Sequence, residues 1–206
     1  MSRLKPLEPS DITEEVREYF KSFGRDVDEP LEAMKDLARR PAMAKATMQL
    51  YHATIMEGTL PSSLKWMASH ISSKIRGCTF CSAHTASYAF DDGTSIEKIE
   101  ALWDFERSPL FSGAEKAALS FSVAAATVPN AVTDAHFEEL RQHYDEGEIV
   151  ELLGTIAYFA YFNCWNDSMA TELEPHPRDF GKKHLAQSGW DLPTNYSKSK
   201  PKREVV

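Results

Sequence analysis

Residues 71–90 read ISSKIRGCTFCSAHTASYAF, and two of the chain's three cysteines, Cys78 and Cys81, fall inside this stretch, with His84 three positions later. Gly77 ends one helical pattern and Cys78 opens the next. Cys78 then sits in the first turn, where unpaired N–H groups and the helix dipole favour a thiolate. A three-residue step puts Cys78, Cys81 and His84 on one helix face, close enough for a disulfide within a turn and for an imidazole beside it. A thiol next to a general base is the unit of an activated nucleophile. Three readings compete at this point: a redox dithiol, a metal clip, and a coincidence of small buried residues.

Working outward, the rest of the chain reads as helix. Strand-like alternation is nearly absent, and glycine is scarce, with 9 in 206 residues. Ile12, Val16, Tyr19, Phe20 and Phe23 form one helical stripe, with Asp11 as the expected N-cap and Glu14 completing a capping box. Further helices are expected from Pro41 to Glu57 with Gly58 as breaker, from Pro61 to Gly77, and from Cys78 to the DDG at 91–93. Others are expected behind Ser95, over the alanine-rich 112–128 up to Pro129, behind Thr133, and over 145–169. The last is apolar all round its middle, as a central core helix or a subunit interface would be. The reading is an all-α single domain of about eight helices, with its core at about 40–175. The Pro- and Lys-rich residues from about 176 to 206 are expected to wrap the surface or end in disorder.

Composition narrows the function. A net charge of −8 argues against nucleic-acid binding, and the terminal Lys198, Lys200, Lys202 and Arg203 read as a solvated tail. No run reaches the ~18 apolar residues of a membrane span, and the first fifteen residues lack the apolar segment of a secretory signal. A cytoplasmic location is the expectation. In that reducing compartment a close cysteine pair is catalytic or metal-binding rather than structural. Cys164, in the aromatic setting YFNCWND, reads as buried and inert. Zinc would require four ligands, usually from two short ligand pairs, and here only Cys78, Cys81, His84 and His70 offer themselves. No metal and no bound cofactor are therefore expected. His70, two turns before Cys78, is placed to lean over the pair if the two helices run antiparallel, with Ser69 and Ser73 bridging through water. His52, His136, His143, His176 and His184 show no cysteine or carboxylate constellation. Asn163, Asn166, Asp167 and Glu172 read as structural hydrogen-bonders.

The motif GCTFCSAHTASYA, led by GTLPSSLKWMASHISSKIRGC, resembles the core of the alkylhydroperoxidase AhpD-like family, within the carboxymuconolactone decarboxylase-like superfamily. The later stretch from VPNAVTDAHF to NDSMATELE resembles that family's C-terminal half. The resemblance implies an all-helical homo-oligomer that reduces small hydroperoxides and is reset by an external dithiol. Cys81 would attack, Cys78 would resolve, and His84 would relay protons. Two features depart from the family pattern. Its glutamate would fall near Trp66, so a carboxylate is missing, and His70 is the candidate to replace it. The step from Cys81 to histidine is also one residue short. The resemblance leaves two alternatives to the peroxidase: a decarboxylase of the wider superfamily, and a non-catalytic helical oligomer with or without zinc.

Overall fold

The computed structural model describes residues 2–5, 7–22 and 28–192. Phe23 and the terminal basic residues named above lie outside that range. Among the described residues there are ten α-helices and no strand, joined by short 3₁₀ and π-type turns. The helices are α1 (Glu14–Ser22), α2 (Glu32–Leu37), α3 (Pro41–Tyr51), α4 (Ser62–Ile75), α5 (Thr79–Asp91), α6 (Ile96–Glu100), α7 (Gly113–Ala126), α8 (Asp134–Leu140), α9 (Glu146–Met169) and α10 (Pro175–Phe180). The all-α expectation holds. Ser95 caps α6 through the Lys98 N–H, and Ser112 and Asp145 form capping boxes at α7 and α9. Asp11 instead ends a 3₁₀ turn, and α1 starts at Glu14.

The helix buried on every side is α4, not α9. It packs against α5, α7 and α9, and every residue from Leu64 to Ser73 is buried. Its polar composition conceals this. Ser69 and Ser72 turn their hydroxyls back onto the carbonyls of Lys65 and Ser69, at 2.7 and 3.0 Å. So satisfied, small serines pack like alanine and let neighbouring helices approach closely. Lys65 is also buried, and its ammonium pairs with Glu151 of α9 and with the carbonyls of Ile55 and Glu57. Glu151 accepts from the N–H groups of Thr59 and Leu60 in turn. Gly58 takes φ +98°, and a Cβ there would collide with the Glu151 carboxylate, so only glycine fits this turn.

Along α9 one face is buried, while Val150, Leu153, Ala157, Tyr161 and Cys164 are exposed on the other. Cys164 is therefore not the buried thiol that its aromatic neighbours suggested. The steps of three and four residues put it on the outer face. After α10 the chain continues through turns over 181–188 and returns to α5. Phe180, Leu185 and Trp190 are buried there, and the Trp190 indole donates to the Thr79 carbonyl at 3.1 Å. No helix among the described residues is long and apolar enough to cross a membrane.

Candidate active site

The turn at Gly77 (φ +75°) lets α5 fold back on α4. Cys78 is the N-cap of α5 and Cys81 stands in its first turn; the Cys81 N–H donates to the Cys78 sulfur at 3.4 Å. Both residues are buried, at 0 % and 2 % exposure, and both are free thiols. Hydrogen bonding to Cys81, together with burial and the nearby Asp167 carboxylate, pushes the Cys78 thiol far above its ordinary value. The Asn166 side-chain amide, reaching in from α9, donates to the Cys81 sulfur at 3.4 Å.

His84 lies one turn further along α5. Its ring stacks on Phe80 with centroids 4.3 Å apart, and its Nδ1 faces the Phe80 carbonyl at 3.1 Å. Its Nε2 is 3.0 Å from Glu174 Oε2, an ion-pair contact by distance but off the line of a full hydrogen bond. The other oxygen of Glu174 accepts from the Glu32 N–H at 2.9 Å. Burial works against charge on Glu174, yet His84 and the backbone N–H groups outweigh it, and its pKa lies below the ordinary glutamate value of 4.5. Both nitrogens of His84 therefore face oxygen atoms, the Phe80 carbonyl and the Glu174 carboxylate. No hydrogen bond joins His84 to either sulfur.

Glu174 is the site residue that the sequence reading missed. It stands ninety residues after His84, just ahead of α10, and no local spacing signals it. Asn166 was assigned to structure alone, yet it touches the Cys81 sulfur.

His70 lies on the other side of the pair. It is buried, and its Nδ1 is 2.8 Å from the Ser82 carbonyl. Because a carbonyl only accepts, Nδ1 carries the proton. Burial lowers the pKa of His70 to about 4 despite that bond, so at neutral pH its Nε2 is a bare lone pair. Ser69 is committed to Lys65, whereas the Ser73 hydroxyl is buried without a partner. His52, His143 and His184 do meet carboxylates, those of Glu57, Glu139 and Glu100, away from the sulfur pair. No group of three or more His, Cys, Asp or Glu among the described residues is arranged to hold a metal ion.

Two pockets meet at the cysteines. One, with a space of about 60 Å³, is walled by aromatic and aliphatic side chains, including Tyr51, Trp66, Tyr88 and Phe159, and reaches Cys81, His84 and Asn166. The other, of about 230 Å³, is more polar and reaches Cys78 and His70.

Comparison with known proteins gives likenesses of sequence and of fold. Residues 41–124 match the carboxymuconolactone decarboxylase family. Among curated relatives, the uncharacterized protein YnjA of Escherichia coli (strain K12) is 35% identical over 79 residues, which are 38% of this chain and 43% of that protein. The uncharacterized protein YdfG of Bacillus subtilis (strain 168) is 32% identical over 95 residues, 46% of this chain and 63% of that one. The matched region thus spans about half the length of these relatives. Among solved structures, a Cys→Ala variant of the debrominase Bmp8 in complex with 2,3,4-tribromopyrrole superposes with a TM-score of 0.78. It is 28% identical, and the match covers 89% of this chain and 99% of that one. An AhpD-core, peroxidase-related protein from Ralstonia eutropha JMP134 gives a TM-score of 0.75 at 16% identity, covering 85% of this chain and 94% of that one, a likeness of fold.

Proposed function

We propose that this chain, a member of the carboxymuconolactone decarboxylase-like family to which the AhpD-like proteins belong, is a thiol-dependent hydroperoxide reductase. The observation that carries the reading is the asymmetry of the sulfur pair. Cys81 receives the Asn166 amide N–H and lines the apolar pocket that also reaches His84, whereas Cys78, at the helix cap, accepts the Cys81 backbone N–H and faces the other pocket.

The Cys81 thiolate attacks the distal oxygen of the hydroperoxide. The O–O bond breaks, its electron pair leaves on the alkoxide, and His84 supplies the proton that makes it an alcohol. Glu174, 3.0 Å from Nε2, orients the His84 ring. Cys78 then attacks the resulting Cys81 sulfenic acid, its proton leaves with the hydroxide as water, and a Cys78–Cys81 disulfide forms. An external dithiol restores both thiols by exchange. No bound cofactor enters these steps. The apolar walls of the pocket on Cys81 and His84 suit a small hydroperoxide.

A second reading follows from the aromatic wall and the likeness to a debrominase: Cys81 attacks a ring bromine, the carbon takes a proton from His84, and Cys78 expels bromide to form the same disulfide. We further propose a homo-oligomer of the cytoplasm, joined through the apolar outer stripe of α9.

The test is hydroperoxide-driven disulfide formation followed at pH 7 in wild type, Cys81→Ser and Cys78→Ser. Loss of turnover in Cys81→Ser, and arrest at the sulfenic acid in Cys78→Ser, support the assignment. Undiminished turnover in Cys81→Ser rejects it.

A further inference from the structure

The pocket on the Cys78 side differs from the aromatic one in size, polarity and wall. One wall is the C-terminal segment Ser188–Asp191, laid across the start of α5. Two side-chain bonds hold it there: Lys74 Nζ donates to the Ser188 carbonyl at 2.6 Å, and the Trp190 indole donates to the Thr79 carbonyl at 3.1 Å. With the wall in place, Cys78 is sealed from bulk solvent.

The charges in this pocket are unmatched. Lys74 is half-buried and pairs with no carboxylate among the described residues; its ammonium meets only the Ser188 carbonyl and the face of Trp103, 4.4 Å from the ring centroid. Burial pulls its pKa down, as an unpaired cation requires. Asp191, exposed, lines the same pocket and forms no ion pair among the described residues. An unpaired cation and an unpaired anion around one sulfur are complementary to a group that carries both charges.

Building on the dithiol reading, we infer that the pocket formed by His70, Lys74, Cys78, Ser188, Trp190 and Asp191 admits the reducing thiol, and that it selects an amino-acid or peptide thiol bearing a carboxylate and an ammonium group. The carboxylate competes with the neutral Ser188 carbonyl for Lys74, since an anionic acceptor adds charge–charge attraction to the ammonium's hydrogen bond. That exchange loosens the wall over Cys78. The ammonium meets Asp191.

The thiol releases its proton to solvent, and the thiolate attacks the Cys78 sulfur of the disulfide. The S–S bond breaks with its electron pair leaving on Cys81, and Cys78 becomes linked to the reductant. A second thiol, on the same molecule or another, displaces Cys78, which takes up the proton that this thiol gives up. Two external thiols are thereby oxidised to one disulfide, and the protein's disulfide is reduced to two thiols, one of which remains a thiolate whose proton passes to solvent. Substrate and reductant reach the pair from different sides, so neither need leave before the other enters.

The experiment starts from protein oxidised with diamide, with the Cys78–Cys81 link verified by mass spectrometry, so that it does not depend on which oxidant the protein meets in the cell. Anaerobic re-reduction is timed with four thiols: cysteine, 3-mercaptopropionate, cysteamine and 2-mercaptoethanol. For each thiol the rate in a variant is divided by the wild-type rate, which cancels the thiol's own reactivity. Lys74→Gln is expected to slow cysteine and 3-mercaptopropionate about fivefold and leave the other two within about twofold. Asp191→Asn is expected to slow cysteine and cysteamine and to spare 2-mercaptoethanol. Equal ratios for all four thiols in both variants overturn the inference while leaving the dithiol reading intact. A disulfide that diamide cannot close overturns both.

Discussion

Replacing Glu174 by glutamine isolates the charge that His84 receives from beyond the helical hairpin. The carboxylate does two things: one oxygen accepts the Glu32 N–H, and the other lies 3.0 Å from His84 Nε2. Glutamine keeps an acceptor for Glu32 and removes the charge, so the tie to α2 survives while His84 loses its anionic partner. A hydrogen bond to a charged group contributes about 1.5–3 kcal/mol, and each 1.36 kcal/mol is about tenfold in rate. The contact with His84 is off-line and Glu174 is partly exposed, so the lower end applies, and Glu174→Gln should slow the oxidation of Cys81 about tenfold. Stopped-flow loss of thiols after mixing with cumene hydroperoxide measures it. The pH dependence separates a chemical role from a structural one. Because the folded-state pKa of Glu174 is depressed, its stabilising contribution is complete above the ordinary value of 4.5 and is lost as pH falls through the depressed one. Wild type should lose stability and activity in that acid window, and Glu174→Gln should show a flatter profile there. Glu174→Ala, which also frees the Glu32 N–H, should lower thermal stability where glutamine does not. A Glu174→Gln rate within twofold of wild type, with an unchanged acid limb, refutes the idea that the carboxylate acts through His84.

Asn166→Ala removes the amide that faces the Cys81 sulfur and should reduce the rate of Cys81 alkylation by iodoacetamide at pH 7 about fivefold, with the far-UV circular dichroism unchanged. Lys65→Met leaves Glu151 without its buried cation and should cost about 3–5 kcal/mol in urea unfolding; adding Glu151→Gln, which still accepts from Thr59 and Leu60, should restore most of it. Val150→Glu with Tyr161→Glu places charge on the exposed stripe of α9 and should reduce the mass measured by light scattering to that of a single chain.

The helices were legible because their signals are local. Ser95, Ser112, Asp145, Pro41 and Gly77 stand where caps and breakers must stand, and the structure begins or ends helices within a residue or two of them. The pairing of Cys78 with Cys81 was legible for the same reason, since a three-residue step on a helix fixes neighbours. Burial was harder to read. The serines of α4 look solvent-facing, and only back-bonding to the preceding turn makes them core residues. The apolar run of α9 looks wholly internal, yet one face carries Val150 and Cys164 to the surface. What sequence spacing could not supply was Glu174, which reaches His84 across ninety residues of chain, and Trp190 and Asp191, which wall the Cys78 pocket. Such contacts depend on where α10 and the turns after it dock. The short helix α2 was also missed, because six residues carry too little periodicity to stand out.

The central claim is that Cys78 and Cys81 exchange between two thiols and one disulfide while Cys164 stays apart. Peptide mass spectrometry of the protein after one equivalent of hydroperoxide, with free thiols blocked at the moment of quenching, tests it directly. The account predicts a single peptide spanning residues 77–98, two mass units lighter through a Cys78–Cys81 link, alongside blocked Cys164. Recovery of blocked Cys78 and Cys81 beside an oxidised Cys164 would contradict it.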